Sequence, residues 1–168
     1  NLGHLKKSEL KLNYIGPLSR MQKKETPKQY DLMILLSGPE PQRGLLEEQL
    51  KNEVVNYAGK VVFIKGIIEK DQKKEHINHV TYYNFMNTRQ LEQTFNESDV
   101  VLCRSGYTTI MDLVQLEKKA FFIPTPGQYE QEYLARVSKN NGWIPYKNQE
   151  IFKIEKLCNY FANKIFIK

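Results

Sequence analysis

The stretch from Ser98 to Ala135, SDVVLCRSGYTTIMDLVQLEKKAFFIPTPGQYEQEYLA, constrains this chain more than any other part of it. It reads as strand, glycine turn, helix, strand, proline-rich turn and helix. VVLCRS is a short apolar run suited to a strand covered on both faces, as in a parallel sheet. Gly106 lets the backbone turn sharply, and Tyr107 to Glu117 carries a helical stripe at Ile110, Leu113 and Val114. AFFIP is a second buried strand, closed by Pro124 and Pro126. In such units ligands collect at the carboxyl ends of the strands, where helix N-termini present free N–H groups to anions. Polar residues gather at both ends: Arg104, Ser105, Thr108, Thr109 and Asp112 at the first, Gln128, Gln131 and Glu132 at the second.

The same alternation runs through the preceding residues. DLMILLSG (31–38), VVFIKG (61–66) and VTYYNF (80–85) read as strands. A helix from about Gln42 turns Leu46, Leu50 and Val54 inward and Glu47, Glu48 and Lys51 outward. IIEKDQKKEHIN is a polar excursion between strands. Asn87 with Gln90 forms a capping-box pattern ahead of Leu91 and Phe95. WIPY (143–146) adds a short strand, and Ile154, Leu157, Phe161 and Ile165 stripe a final helix. Strands alternating with helices predict an α/β, Rossmann-like domain: a parallel sheet with helices on both faces and right-handed crossovers. Residues 1–29, with a strand-like NYIGP, read as a lead-in segment, and 30–168 as the domain itself.

Composition narrows the partners. The net charge of +6 is mostly a lysine surplus. It reads either as attraction for an anionic partner, such as a nucleotide, a membrane surface or a nucleic acid, or as a solvated lysine-rich face. Basic residues are not interleaved with aromatics along one stripe, which argues against nucleic acid. The longest apolar runs, VVFI and AFFI, are far too short to span a bilayer. Cys103 and Cys158 stand alone in core-like surroundings, which fits a reducing, cytoplasmic setting. NLGHLKKSELK is no signal peptide, and the absent initial Met suggests a chain cut from something longer, with Met excision the alternative. His76 and His79, with Glu75 the only adjacent acid, make a poor metal site, so no metal is expected. No GxSxG and no nucleophile–base pair is present.

Three strand-end loops should meet on one edge of the sheet. In LLSGPEPQR, residues Ser37, Gly38, Gln42 and Arg43 could approach a phosphate, or the segment is a structural turn, since its prolines donate no N–H. In RSGYTT, the amides and hydroxyls of Thr108 and Thr109 can face an anion. Asp112, one turn on, either accepts both hydroxyls of a ribose or merely complements the helix dipole. In TPGQYEQEY, Gln128, Gln131 and Glu132 share a face that could recognise a sugar or simply be solvated.

These loops, in this order, resemble the C-terminal, donor-binding half of a GT-B glycosyltransferase. The nearest group is similar to the UDP-N-acetylglucosamine transferases of peptidoglycan lipid-intermediate synthesis, within the glycosyltransferase family 28 C-terminal domains. CRSGYTTIMD resembles the family's Arg/Ser-Gly-x-x-Thr-x-x-Glu pattern, and FIPTPGQYEQEYLA its proline turn and Gln-bearing helix. YIGPLSR looks like the segment where such enzymes enter their second domain. The resemblance implies that Asp112 binds the ribose in place of the usual Glu, and that Thr108, Thr109 and the turn at Gly106 hold the diphosphate. It implies that backbone groups of Phe85 and Met86 face the uracil. Gln131 would contact the sugar, with Glu132 where the family often has a second Gln. The donor would be a UDP-sugar, with no cofactor.

The family's catalytic base and acceptor site lie in a first domain, which residues 1–14 are too few to form. The resemblance therefore implies a donor half without catalytic residues, inactive alone, whose partner domain was removed or is a separate subunit. A cytoplasmic place, peripheral at the inner membrane face, goes with that reading. A sugar-nucleotide epimerase half and a noncatalytic module docking a membrane-bound partner are the alternatives.

Overall fold

A computed structural model of the chain describes residues 13 and 15–162, the side chains of 158, 159 and 162 excepted. Six strands form one sheet: β1 (Tyr30–Leu35), β2 (Val61–Ile64), β3 (Lys74–Ile77), β4 (Val80–Tyr83), β5 (Ser98–Cys103) and β6 (Lys119–Phe122). Their order is β3-β4-β2-β1-β5-β6, parallel throughout except for the antiparallel β3–β4 hairpin. The chain builds outward from β1 to β2 and β4, then crosses back to place β5 on the other side of β1. That reversal makes the carboxyl ends of β1 and β5 a topological switch point, the usual ligand crevice of open α/β sheets.

Strand periodicity divides the core. Leu32, Ile34 and Leu36 pack on one face with α1 (Gln42–Val54), Ile154 and Leu157. Met33, Val101 and Cys103 pack on the other with α2 (Thr88–Glu97), α3 (Tyr107–Gln115) and α4 (Tyr129–Asn140). Central strands covered on both faces carry no alternation, so β2 reads as the unbroken run VVFI, entirely buried. Asn87 closes the expected capping box: its side chain accepts from the Gln90 N–H while the Gln90 side chain accepts from the Asn87 N–H.

Five local expectations need correction. Ile15 to Ser19 has no regular secondary structure, and Tyr14 of NYIGP lies outside the described residues. KEHI is not excursion but strand β3, exposed along its length and paired to β4 through a turn with Asn78 at φ 53°. WIPY contributes only a bridge between Tyr146 and Phe122. The last helix begins as two 3-10 turns, Gln149–Ile151 and Ile154–Lys156, and becomes α5 only over Leu157–Ala162. Ile165 lies outside the described residues. Val114 turns to solvent, and Leu116 takes its place in the core.

Candidate functional site

A cavity of about 400 Å³ opens at the switch point. Its floor is the carboxyl end of the sheet: Leu35 to Gly38 at the end of β1, Ile64 and Gly66 at the end of β2, Phe85 and Met86 after β4. Gly66 is dictated by that floor. It sits at φ +72°, and a Cβ there would lie 2.3 Å from the Leu36 carbonyl oxygen. Leu91 and Phe95 of α2 make an apolar wall. Opposite stand Thr108, Thr109 and Asp112, on the first turns of α3. The volume and mostly apolar lining, with few convergent polar groups, fit a small-molecule site.

The polar side of the cavity is left open. Gly106 caps α3 without a side chain, so the helix's first N–H groups keep no side-chain acceptor. Among the described residues, no hydrogen bond engages the Thr108 or Thr109 hydroxyl. Asp112 is 6% exposed, and its Oδ1 accepts from the Ser19 hydroxyl at 2.6 Å. Ser19 thus offers Asp112 what a sugar hydroxyl would offer. Ser19, Arg20 and Met21 belong to the lead-in segment, and all three were absent from the sequence-predicted site. The i, i+4 spacing of Thr108 and Asp112 pointed to α3 but could not reveal a donor some ninety residues earlier.

Other predicted residues fall elsewhere. Arg43 does not reach into the cavity: its guanidinium binds Glu40, Glu47 and the Lys65 carbonyl. Glu40 also accepts from the Gly44 N–H at the start of α1. The loop SGPEPQR therefore carries its own anion, in the position where a phosphate was expected. Glu47, read as outward, is buried. Burial alone would raise its carboxyl, but Lys51 and Arg43 outweigh that and hold it below the usual carboxylate range. Ser37 and Gly38 of the same loop do line the cavity, whereas Gln42 is held by its carbonyl to Arg104.

Arg104 is 1% exposed and works as a clasp. Its Nη1 donates to the Ile123 and Pro124 carbonyls, and its Nη2 to the Gln42 carbonyl and Gln149 Oε1. Its Nε has no partner among the described residues. Burial brings this guanidinium down to about 10, so it remains charged at neutral pH and has no carboxylate among its hydrogen-bond acceptors. Ser105, fully buried, donates to the Gln131 carbonyl.

The third loop closes on itself. Gln131 Oε1 accepts from both the N–H and the hydroxyl of Thr125, and its Nε2 donates to Gln128 Oε1. Glu132 accepts from the Gly127 N–H. None of these three lines the cavity, though Thr125 stands beside Gly38, with its hydroxyl 3.8 Å from where a Cβ would be. The backbone of Phe85 is engaged as well, its N–H by Asn84 Oδ1 and its carbonyl by Gln72. A base facing this edge is left chiefly with Met86. His76 hydrogen-bonds the Thr81 hydroxyl, and His79 the Val54 carbonyl.

The model of the glycosyltransferase family 28 C-terminal domain matches residues 39–163. A UDP-N-acetylglucosamine–N-acetylmuramyl-(pentapeptide) pyrophosphoryl-undecaprenol N-acetylglucosamine transferase of Haemophilus ducreyi is 25% identical over 152 residues, covering 86% of this chain and 42% of the relative. The namesake from Lawsonia intracellularis is 34% identical over 82 residues, covering 45% of this chain and 22% of that protein. Among solved structures, the kitacinnamycin glycotransferase superposes with a TM-score of 0.64 at 12% identity, over 90% of this chain and 40% of that one. MurG of Acinetobacter baumannii gives 0.57 at 16% identity, over 83% and 42%. The chain thus spans about two-fifths of the length of the first of these relatives. With three-quarters of its length matched by the family model, the chain belongs to the glycosyltransferase family 28 C-terminal domains.

Proposed function

We propose that the switch-point cavity binds the donor of a glycosyltransferase reaction, a UDP-sugar and specifically UDP-N-acetylglucosamine, the sugar in the names of the relatives. The observation that carries the reading is the convergence of Thr108, Thr109 and Asp112 on one open cavity. The diphosphate lies against the uncapped start of α3, where N–H groups and two hydroxyls meet it. The buried charge of Arg104, with no carboxylate bonded to it, favours the same anion. Asp112 takes the ribose hydroxyls in place of Ser19. Met86 faces the uracil, against the apolar wall of Leu91 and Phe95. The sugar extends past Gly38 toward Thr125, where Gln131 keeps one amide hydrogen unused among the described residues.

In the whole enzyme an acceptor hydroxyl attacks the anomeric carbon and UDP departs. The helix terminus and hydroxyls stabilise the charge that develops on the diphosphate, so this half contributes leaving-group stabilisation without a metal ligand set. The acceptor site and catalytic base belong to a further domain on this reading. The lipid-linked acceptor named for the relatives would hold the enzyme at a membrane surface by contact, and no described helix is long and apolar enough to cross one.

Calorimetric titration with UDP, UDP-N-acetylglucosamine and an adenine nucleotide tests the proposal. Uridine nucleotides should bind in preference to adenine, and Asp112→Ala should weaken them. Equal binding of all three, or an Asp112→Ala protein that binds as before, would overturn it.

A further inference from the structure

The end of the sheet opposite the cavity holds an arrangement that nucleotide binding does not use. Lys28, just before β1, and Lys118, just before β6, flank the first residue of β5. The Lys28 Nζ donates to the carbonyls of Asn96 and Ser98 at 2.8 and 3.2 Å. The Lys118 Nζ donates to the same two carbonyls at 3.2 and 2.9 Å. Two ammonium groups therefore share one pair of acceptors at the carboxyl end of α2. A helix C-terminus welcomes one cation, but a second beside the first meets like-charge repulsion. Lys118 is also partly buried, whereas Lys28 is exposed.

We propose that Lys118 is a carbon dioxide site: its amine forms a carbamate that Lys28 then holds by charge. The Nζ lone pair attacks the carbon of CO2, an N–C bond forms, one C=O electron pair moves onto oxygen, and the displaced Nζ proton leaves to solvent. Nothing is oxidised, and the products are a carbamate anion and a proton. The arrangement suits each requirement. The amine must be neutral, and the crowding of cations favours loss of its proton. The product must be anionic, and it replaces a cation–cation contact by an ion pair with Lys28. The carbonyls must stay satisfied: Lys28 already donates to both, and the carbamate keeps one N–H of its own.

The charged surroundings are mixed. Burial first, and then Lys28, bring the Lys118 ammonium down to about 7; Lys23 of the lead-in segment adds to this, and Asp99 of β5 opposes it. Lys23 is itself paired with Glu117 in the turn after α3, and Glu97 of α2 accepts from Gln29 and Gln93. At pH 7.5 an ordinary lysine is neutral in roughly one molecule per thousand, so selectivity over the other lysines should be large.

The protein is equilibrated with 13C-labelled CO2 at fixed partial pressure, trapped with a trialkyloxonium salt, and mapped by peptide mass spectrometry. Label should concentrate on Lys118 at pH 7.5 and fall by roughly a hundredfold or more at pH 6, because the amine takes up its proton and the carbamate step itself releases one. Lys118→Gln should abolish the label, Lys28→Met should cut it several-fold, and Lys28→Arg should preserve it. Circular dichroism confirms that each variant is folded. Label confined to exposed lysines or the α-amino group, or unchanged by Lys28→Met, would overturn the proposal. A trapped acyl group without 13C would mean that another electrophile uses the amine, which overturns it equally.

Discussion

The two ends of the sheet treat charged and polar groups in opposite ways. At the carboxyl end, the start of α3 leaves its N–H groups, two hydroxyls and most of a carboxylate facing a cavity. At the amino end, the last carbonyls around α2 each receive two ammonium donors. One end is undersupplied with partners and the other oversupplied. A ligand site is recognised by the first condition, and the amino end becomes reactive through the second. Within the carboxyl end the contrast repeats on a smaller scale. The loop after β5 leaves Thr108, Thr109 and Asp112 toward the cavity, whereas the loop after β6 uses Gln128, Gln131 and Glu132 to brace itself.

The strongest test of this contrast is Arg104, which ties the two loops together. Arg104→Ala strands several buried carbonyls and should lower stability by about 3 kcal/mol in urea denaturation. A loss below 1 kcal/mol would mean that the loops hold their places without the clasp. Next comes Asp112→Ala, which should weaken UDP about thirtyfold, or about 2 kcal/mol, while leaving the melting temperature nearly unchanged. A fall in stability without a fall in affinity would assign Asp112 to the fold rather than to the cavity.

Lys118→Met probes the amino end. Because burial and Lys28 depress its proton affinity in the folded chain, Lys118 holds fewer protons there than when unfolded, between pH 7 and its ordinary 10.5. Stability therefore rises with pH across that window, and the penalty is fully present below 7. In CO2-free buffer, Lys118→Met should stabilise the chain more at pH 6 than at pH 9, by about 1 kcal/mol after allowance for solvent screening. A pH-independent effect would show that the two cations do not oppose each other. The smallest effect belongs to Gln131→Ala, which should weaken UDP-N-acetylglucosamine about threefold, well under 1 kcal/mol, and leave UDP unchanged. Equal losses for both would confine the carboxamide to bracing its loop.

How much could be read beforehand follows from which interactions were local. The parallel sheet, its two-faced core and the α2 capping box depend on apolar runs and short spacings, and those are written in the chain. β3 was missed because KEHI is exposed on both sides and carries no apolar alternation; its pairing with β4 alone makes it a strand. Arg43 read as a phosphate ligand and Arg104 as a strand-end site residue because sequence displays charge but not the acceptor. Glu40 meets one and four carbonyl or amide oxygens meet the other. Thr108, Thr109 and Asp112 were legible because a helix start places them by itself. Ser19 was not, since nothing in YIGPLSR announces that its hydroxyl crosses to α3.

That hydroxyl bears on ligand release. If a ribose takes Asp112 as proposed, one of its hydroxyls replaces the Ser19 hydroxyl and the other adds a hydrogen bond. When the ligand leaves, the Ser19 hydroxyl stands ready to take the carboxylate back. A carboxylate with a donor waiting on its own chain loses less when a ligand departs than one left bare.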